Sequence, residues 1–483
     1  MLSHACSMAE VAGGWSMRTQ QAVYLTVVFC LPLLAVAPGL RTWVVTRPRW
    51  VLAALLLVDL AFMLWLTIPY VPLGVDETFF DINAHVYAGN DQLWLCWNRP
   101  PMASLGALVC PWHPPLVGLL LRSATAWLAF ALAERAVRAP WALAAPLLVL
   151  VGSQMTLFSA ALMSEPYGAV CVAGFALLAA RGVGGGAAAG AVAGLAFLSR
   201  WPLGWLLPVA MFVGHRRQGW RGVLLAFVAF AGPVVAVVYA TDTRPWLMLA
   251  DRGEWKQSSW ATLLYFLRPD VAFGVGWSHL VLLVVGAFGA RDAAIRWCVF
   301  LFAACAAALV VTGEATMRLM TPVVPVVAVV VARGLQRTGE WGARRWRWPA
   351  FAGALLTGLV AVSVAFPVRP LRNHALALTS LQNLVRQHRA ELSQLIGTEP
   401  LYTDCNFIAM TAVLNHRCHA VLRPEAAGED PRRGHPEGVG LDLGGTTPPC
   451  DREHLPPGTL YLTFDPAGHR VLWHEGELFL VRW

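Results

Sequence analysis

Long apolar runs recur along most of the chain and constrain its fold more than any other feature. A helix needs about 20 mainly apolar residues to cross a bilayer, with a lower bound near 17. Only 13% of the 483 residues are charged, about half the share of a soluble domain. We therefore predict a polytopic α-helical membrane protein. The candidate runs, which suggest about 12 transmembrane helices, lie at 22–38, 51–69, 116–133, 141–160, 167–181, 186–199, 203–214, 222–240, 277–290, 297–313, 319–333 and 349–367.

The arginines predict how these helices are oriented. Short loops rich in arginine lie on the cytoplasmic side of membrane proteins. Here the arginines collect in alternate loops, at 41–49, 135–138, 181, 216–221, 291–296 and 333–347. The complementary segments, above all the loop 70–115 and the tail 368–483, are then extracytoplasmic. We expect a multi-pass protein of a bacterial inner membrane with a large outer face.

The net charge of +8 does not indicate a nucleic-acid partner. Nucleic-acid binders carry a basic stripe interleaved with aromatic residues, whereas these arginines stand in short clusters between apolar runs. Four of the ten cysteines lie inside apolar runs and the others form no metal-binding spacing. We predict no nucleic-acid partner and no cofactor, and we assign no metal ligands, although a divalent metal stays open.

The tail, 368–483, differs from the rest of the chain because it is polar and has no span-length apolar run. Leu401–Thr403 and Thr459–Phe464 are typical of strands, and Phe407–Leu414 is typical of a helix. Val471–Trp483, with Glu475 and Gly476 in its middle, is typical of a hairpin. We predict a small extracytoplasmic α/β domain at 368–483 that follows a transmembrane module at 1–367.

The first outer loop, 70–115, begins with two acids, Asp76 and Glu77. Phe79, Ile82 and Val86 follow at helical spacing, which predicts an amphipathic helix in the plane of the membrane interface. Acids near membrane depth are costly and are therefore candidates for function. The alternative for Asp76 is that it only caps this helix.

Two further groups lie at predicted outer helix ends. His113 precedes two prolines where the third candidate span begins, so it could contact a phosphate or a metal, or it could be an ordinary hydrogen-bonding group. Glu165 stands between Ser164 and Pro166, on the same predicted side as Asp76. Two carboxylates that reach one face from different spans suit general-base and electrostatic catalysis. The alternative for Glu165 is a capping acid before a helix that begins with proline.

Two arginines at predicted outer ends need a local reason, because arginine is otherwise concentrated on the cytoplasmic side. Arg200 lies in Leu-Ser-Arg-Trp-Pro, and Arg318 lies in Arg-Leu-Met-Thr-Pro. Bidentate binding of a phosphate is one reason. Pairing with Glu165 or Glu314 is the other.

These motifs, in this order and on one predicted side, resemble the GT-C membrane glycosyltransferases. The likeness is to the branch that contains protein O-mannosyltransferases and the lipid A aminoarabinose transferase, and it covers roughly residues 50–335. The resemblance implies a polyprenyl-phosphate sugar donor, an extracytoplasmic active site and inverting transfer to a lipid, glycan or protein acceptor.

The resemblance also implies roles for individual residues. Asp76 is expected as the catalytic base, with Glu77 beside it and Glu165 as a second acid. Arg200 and Arg318 are expected to bind the donor phosphate. His113, which replaces the family's usual lysine, is expected at the same phosphate, and Leu319 replaces the family's usual tyrosine.

Two other classes of function share this topology. A transporter or flippase of lipid-linked sugars would span the membrane in the same way, but it should have inverted repeats with broken helices in matching halves. A non-catalytic membrane scaffold that presents the tail gives no reason for acids and arginines on one face. The sugar and the acceptor are not determined by the sequence.

Overall fold

The computed structural model describes most of the helical bundle and most of the tail. The described residues are 46–67, 75–90, 93, 95, 99–139, 141–182, 184–245, 277–312, 317–346, 381–403, 407–414, 416, 418–422, 450–451, 455–464, 466, 468–476 and 478–483. The predicted spans 22–38 and 349–367 lie outside them.

Twelve α-helices precede the tail within the described residues. They are α1 Pro48–Thr67, α2 Val75–Tyr87, α3 Pro101–Val109, α4 Leu116–Ala133, α5 Ala144–Val151, α6 Ser153–Ala160, α7 Glu165–Arg181, α8 Gly186–Ser199, α9 Leu206–Thr241, α10 Trp277–Ala287, α11 Ala293–Thr312 and α12 Val324–Trp346. Short 3₁₀ segments at Trp141–Leu143, Trp201–Trp205 and Met317–Val323 lead into α5, α9 and α12. Among the described residues, five stretches are long and apolar enough to cross a membrane: Pro48–Trp65, Leu116–Ala133, Trp201–Thr241, Ala293–Val311 and Met320–Gly342.

Glycines let neighbouring helices in the bundle approach backbone to backbone. On α8, glycine recurs every fourth residue, and a Cβ at Gly190 would lie 2.0 Å from the Ala226 carbonyl oxygen of α9. On α10 and α12 the contact is reciprocal, because a Cβ at Gly286 or at Gly334 would lie 2.0 Å from a carbonyl of the other helix. Small residues at helix contacts are the usual means of association inside a bilayer.

Two of the predicted spans join in α9, where the backbone turns sharply at Gly219 (φ 59°, ψ −148°). Gly214 and Gly222 touch across this turn, since a Cβ at Gly222 would lie 2.1 Å from the Gly214 carbonyl oxygen. The chain therefore reverses here, as expected for separate runs at 203–214 and 222–240 with arginines between them.

Two span predictions need correction. The run 141–160 is not one helix, because it breaks at Gly152 between α5 and α6. The run 319–333 begins as a 3₁₀ segment, and its α-helix continues to Trp346, beyond the predicted end. The extension is stable because Arg333 and Arg337 donate to carbonyls of the α10 end, at 2.8 Å to Gly286 and 3.2 Å to Val285.

The tail forms a six-stranded mixed sheet with helices packed on it. Strand order is β3-β2-β1-β4-β6-β5; β1, β2, β3 and β4 are parallel, whereas β6 is antiparallel to both β4 and β5. The elements, in chain order, are α13 Leu381–Gln387, α14 Arg389–Ile396, β1 Leu401–Thr403, α15 Phe407–Leu414, β2 Cys418–Leu422, β3 Cys450–Asp451, β4 Leu460–Thr463, β5 Arg470–Glu475 and β6 Leu478–Arg482. The predicted strands, the helix and the hairpin are all present, the hairpin as β5 and β6. Leu392, Met410 and Leu480 lie in the core between helices and sheet.

Candidate functional site

The site is built at one end of the bundle, where several helices start or stop. A Cβ at Gly118 of α4 would lie 3.9 Å from Pro166 at the start of α7, so both helices begin at this end. A Cβ at Gly168 would lie 2.8 Å from Leu203 and 3.3 Å from Pro322. The glycine thus allows the start of α7 to contact the 3₁₀ segments 201–205 and 317–323.

Glu165 and Arg200 meet at this end as a buried ion pair. Arg200 Nη1 donates to Glu165 Oε1, and the side chains are 5% and 0% exposed. Glu165 is the first residue of α7 and is followed by Pro166. Proline suits the first helical turn, and an acid there interacts favourably with the helix dipole.

Arg200 occupies a break in the chain. It is extended (φ −154°, ψ 119°) between α8 and the 3₁₀ segment Trp201–Trp205. Pro202 would clash with a carbonyl four residues back if α8 continued, so the helix ends at Ser199. The pairing of Arg200 with Glu165 is the alternative that the sequence left open for this arginine, and it is the one that the structure contains.

Arg318 lies in the 3₁₀ segment Met317–Val323, which packs against α7. Its backbone is therefore next to the helix that begins with Glu165. Its side chain lies outside the described residues, so its role as a phosphate ligand stays a prediction.

His113 is buried at the beginning of α4. Its Nε2 lies 3.1 Å from Thr67 Oγ1, whose own proton points to the Met63 carbonyl at 2.8 Å. Nε2 is therefore the donor in this contact, and neutral His113 has no second N–H for a phosphate. Burial lowers the pKa of His113, which favours this neutral form. A phosphate contact through Nδ1 would require the ring to be protonated.

The predicted helix that carries Asp76 and Glu77 is present as α2, but it is more enclosed than an interfacial helix. Phe80 and Ala84 pack with Leu162, Met163 and Tyr167 at the start of α7, with α3 on one side and α15 of the tail on another. Even Glu77 and Asn83 are buried. The sequence predicted a helix lying in the plane of the membrane interface, and it did not predict that α3, α7 and α15 pack around this helix. These packing partners could not be predicted because most of them are distant in sequence.

Asp76 lies in the first turn of α2, as predicted, and its side chain is outside the described residues. Glu77 is 9% exposed. The structure brings Glu165 and Arg200 into contact and packs α2 against the start of α7.

Several charged groups near the site escaped the sequence analysis. Asp81 and His85 follow Glu77 at intervals of four, so the three lie on one face of α2. The pKa of Asp81 is raised to about 7, mainly by burial; the charge of Arg389 in the tail opposes this rise, and that of Glu77 adds to it. Burial, and to a lesser degree Arg389, lower the pKa of His85. The spacing alone could have revealed this face, but not the effect of Arg389 on the pKa values of Asp81 and His85.

Within the described residues, no group of three or more His, Cys, Asp or Glu side chains has the arrangement of a metal site. At this end of the bundle the positive charge of Arg200 balances the negative charge of Glu165. Both charges lie in a region of low dielectric, where such interactions are strong.

The fold is similar to that of two solved structures of ArnT from Cupriavidus metallidurans. The apo structure matches with a TM-score of 0.58 and 14% identity, over 90% of this chain and 98% of that one. The structure bound to undecaprenyl phosphate matches with a TM-score of 0.61 at the same identity and coverage. The chain therefore has the GT-C fold that the order of its motifs predicted. No protein-family model and no curated protein matches the sequence.

Proposed function

We propose that this protein transfers a sugar from a polyprenyl-phosphate donor to an acceptor on the extracytoplasmic face of a membrane. The observation that carries the proposal is the buried Glu165–Arg200 pair at the end of the bundle where α2, α4 and α7 begin. A fixed guanidinium at such a place can bind a phosphate that enters from lipid. The shared fold supports the class of donor, because one of the similar structures binds undecaprenyl phosphate.

In the proposed reaction, an acceptor oxygen attacks the anomeric carbon while the bond from that carbon to the phosphate oxygen breaks. The electron pair leaves with the polyprenyl phosphate, and the configuration inverts. Arg200 and Arg318 would stabilise the charge that develops on the leaving phosphate, which is the usual effect of fixed cations in such sites. Glu165 would hold Arg200 in position before the donor arrives.

The proton of the acceptor would go to Asp76. A general base contributes about 10²- to 10⁴-fold in rate, and the first turn of α2 places Asp76 beside the buried Glu77. His113, which is held by Thr67, would shape the phosphate pocket and contact the phosphate only when it is protonated.

The proposal includes the orientation that the arginines predict. The transmembrane module, 1–367, would lie in a bacterial inner membrane with α2 outside, and the tail domain, 368–483, would cover it there. The contact between α15 and α2 supports this arrangement, because both segments are predicted to be on the outer side.

The test is single-turnover transfer from a radiolabelled polyprenyl-phosphate sugar by the Asp76→Asn protein. Asparagine caps a helix about as well as aspartate, so the substitution separates a cap from a base. We expect turnover to fall by about 10²- to 10⁴-fold while donor binding survives. The matched control is Asp242→Asn, an exposed acid at a helix end whose side chain is 64% exposed, and it should transfer normally.

A second candidate function is transport of a lipid-linked sugar, and the break at Gly152 between α5 and α6 favours it. Transporters use discontinuous helices to bind substrates near the middle of the membrane. Reconstitution of the wild type and Asp76→Asn in vesicles separates transport from transfer. Movement of the donor across vesicles without transfer, unaffected by Asp76→Asn, would replace the transferase proposal.

A further inference from the structure

An arginine and an aspartate form an ion pair inside the spanning part of the bundle. Arg122 of α4 donates to both carboxylate oxygens of Asp59 in α1, at 2.8 and 3.0 Å. The side chains are 1% and 14% exposed. Charged groups inside a membrane are costly and are typically paired and functional, and a bidentate pair fixes geometry as well as charge.

The same guanidinium also completes the broken helix. At Gly152 the backbone is extended (φ −60°, ψ 120°), so the Leu150 carbonyl loses the amide partner that a continuous helix would give it. Arg122 Nη2 donates to this carbonyl, and Thr156 Oγ1 donates to it at 3.0 Å. An unsatisfied carbonyl is costly in hydrocarbon, so the break depends on Arg122 together with Thr156.

The three elements that Arg122 joins all lead to the candidate site. Helix α1 ends at Thr67, which holds His113. Helix α4 begins three residues after His113. Helix α6 leads through 161–164 to Glu165, the partner of Arg200. One buried guanidinium therefore links the two helices that lead to His113 with the segment that leads to Glu165.

We propose that Arg122, anchored by Asp59, is a positioning residue for the phosphate site: it holds the break at Gly152 so that α6 leads to Glu165 beside Arg200. The inference rests on the proposed function for its link to transfer. Its link to phosphate binding and to the geometry of α6 can be measured without any transfer.

The chain offers a matched control in Arg333. Like Arg122, this arginine contacts both a carbonyl at a helix end and an aspartate: it donates to the Gly286 carbonyl at 2.8 Å and lies 3.3 Å from Asp292. It lies at the opposite, arginine-rich end of the bundle. A general loss of packing should be similar for Arg122→Gln and Arg333→Gln, whereas a loss of positioning should occur only for Arg122→Gln.

The experiment uses the full chain in nanodiscs, with undecaprenyl phosphate as the probe. We expect Arg122→Gln to raise amide hydrogen exchange at 150–163, to weaken binding of the probe per folded molecule about tenfold, and to lower transfer about 10²-fold, as a displacement of about 1 Å can do. Arg122→Lys keeps the charge but cannot bridge Asp59 and Leu150 in the same way, so it should recover only part of the binding. Arg333→Gln should change none of the three.

If Arg122→Gln does not fold, the double variant Asp59→Asn/Arg122→Gln removes both charges together and avoids an unpaired buried aspartate. The proposal is overturned if folded Arg122→Gln or the double variant binds the probe as tightly as the wild type with unchanged exchange at 150–163. It is also overturned if Arg333→Gln has the same effects. Failure of the transferase proposal gives a different result, in which the wild type binds the probe but transfers no sugar.

Discussion

The Glu165–Arg200 pair gives the sharpest quantitative prediction. Both side chains are at least 95% covered, and removal of one partner from such a pair costs about 3–5 kcal/mol, because the other charge stays buried without compensation. We expect Glu165→Gln to lose stability by about this amount. The double variant Glu165→Gln/Arg200→Gln should be more stable than the single one, since no charge is left behind. Reversible unfolding in mixed detergent micelles measures both.

The exposed pair Arg49–Glu134 is the control. Its atoms lie 3.3 Å apart, but its side chains are 71% and 30% exposed. Exposed pairs contribute about 0–1 kcal/mol, so Glu134→Gln should change the free energy of unfolding very little. Equal losses for Glu134→Gln and Glu165→Gln would refute the argument from burial.

The same variants separate the roles of the two residues in binding. Arg200→Gln removes hydrogen bonds to a charged phosphate that are worth about 1.5–3 kcal/mol, or about 10- to 150-fold in Kd. Glu165→Gln keeps Arg200 but removes the carboxylate that holds it in position. Its folded fraction should therefore bind undecaprenyl phosphate more weakly than the wild type, but the loss should be smaller than in Arg200→Gln. A loss in Glu165→Gln as large as in Arg200→Gln would mean that Arg200 does not contact the phosphate.

Three further predictions address the joint with the tail, the helix packing and the orientation. The pKa of Asp81 is raised from 3.8 to about 7, so its contribution to stability is present below pH 4 and is lost as the pH rises to about 7. The melting temperature of the wild type should therefore fall over this pH range, and that of Asp81→Asn should fall less. Equal slopes of melting temperature against pH in the two proteins would contradict this prediction. Gly190→Ala should lower thermal stability, since its Cβ would lie 2.0 Å from a carbonyl of α9, whereas Gly232→Ala has nothing within 4 Å and should not. Single cysteines at positions 90 and 430 should react with an impermeant thiol reagent in spheroplasts, and protection of both would reject the predicted orientation.

Much of the fold could be predicted because it depends on features that are local in sequence. The run 116–133 coincides with α4, and Phe407–Leu414 coincides with the predicted helix of the tail. The length of an apolar run and the turn residues at its ends determine such helices, whatever their position in the tertiary structure. The order of acid and arginine motifs similarly predicted the GT-C fold, although at 14% identity to the similar structures no sequence-wide likeness remains.

The contacts of the candidate site could be predicted only as alternatives. Arg200 had two possible partners, a phosphate or an acid, and the choice of Glu165 depends on two chain breaks 35 residues apart. The broken helix was missed because Gly152 lies in an apolar run that continues on both sides. A break there is favourable because Arg122 and Thr156 can reach the freed carbonyl.

The sequence by itself thus determined that much of this chain lies in a membrane, whereas the orientation of its helices and the end of the bundle that carries its chemistry stay predictions. These follow from the composition and spacing of short segments, each of which responds to water or lipid independently. The tertiary structure alone decided which charges meet: Glu165 with Arg200, and Asp59 with Arg122. A buried charge is stable only beside a partner, and packing of helices that are distant in sequence brings that partner into place.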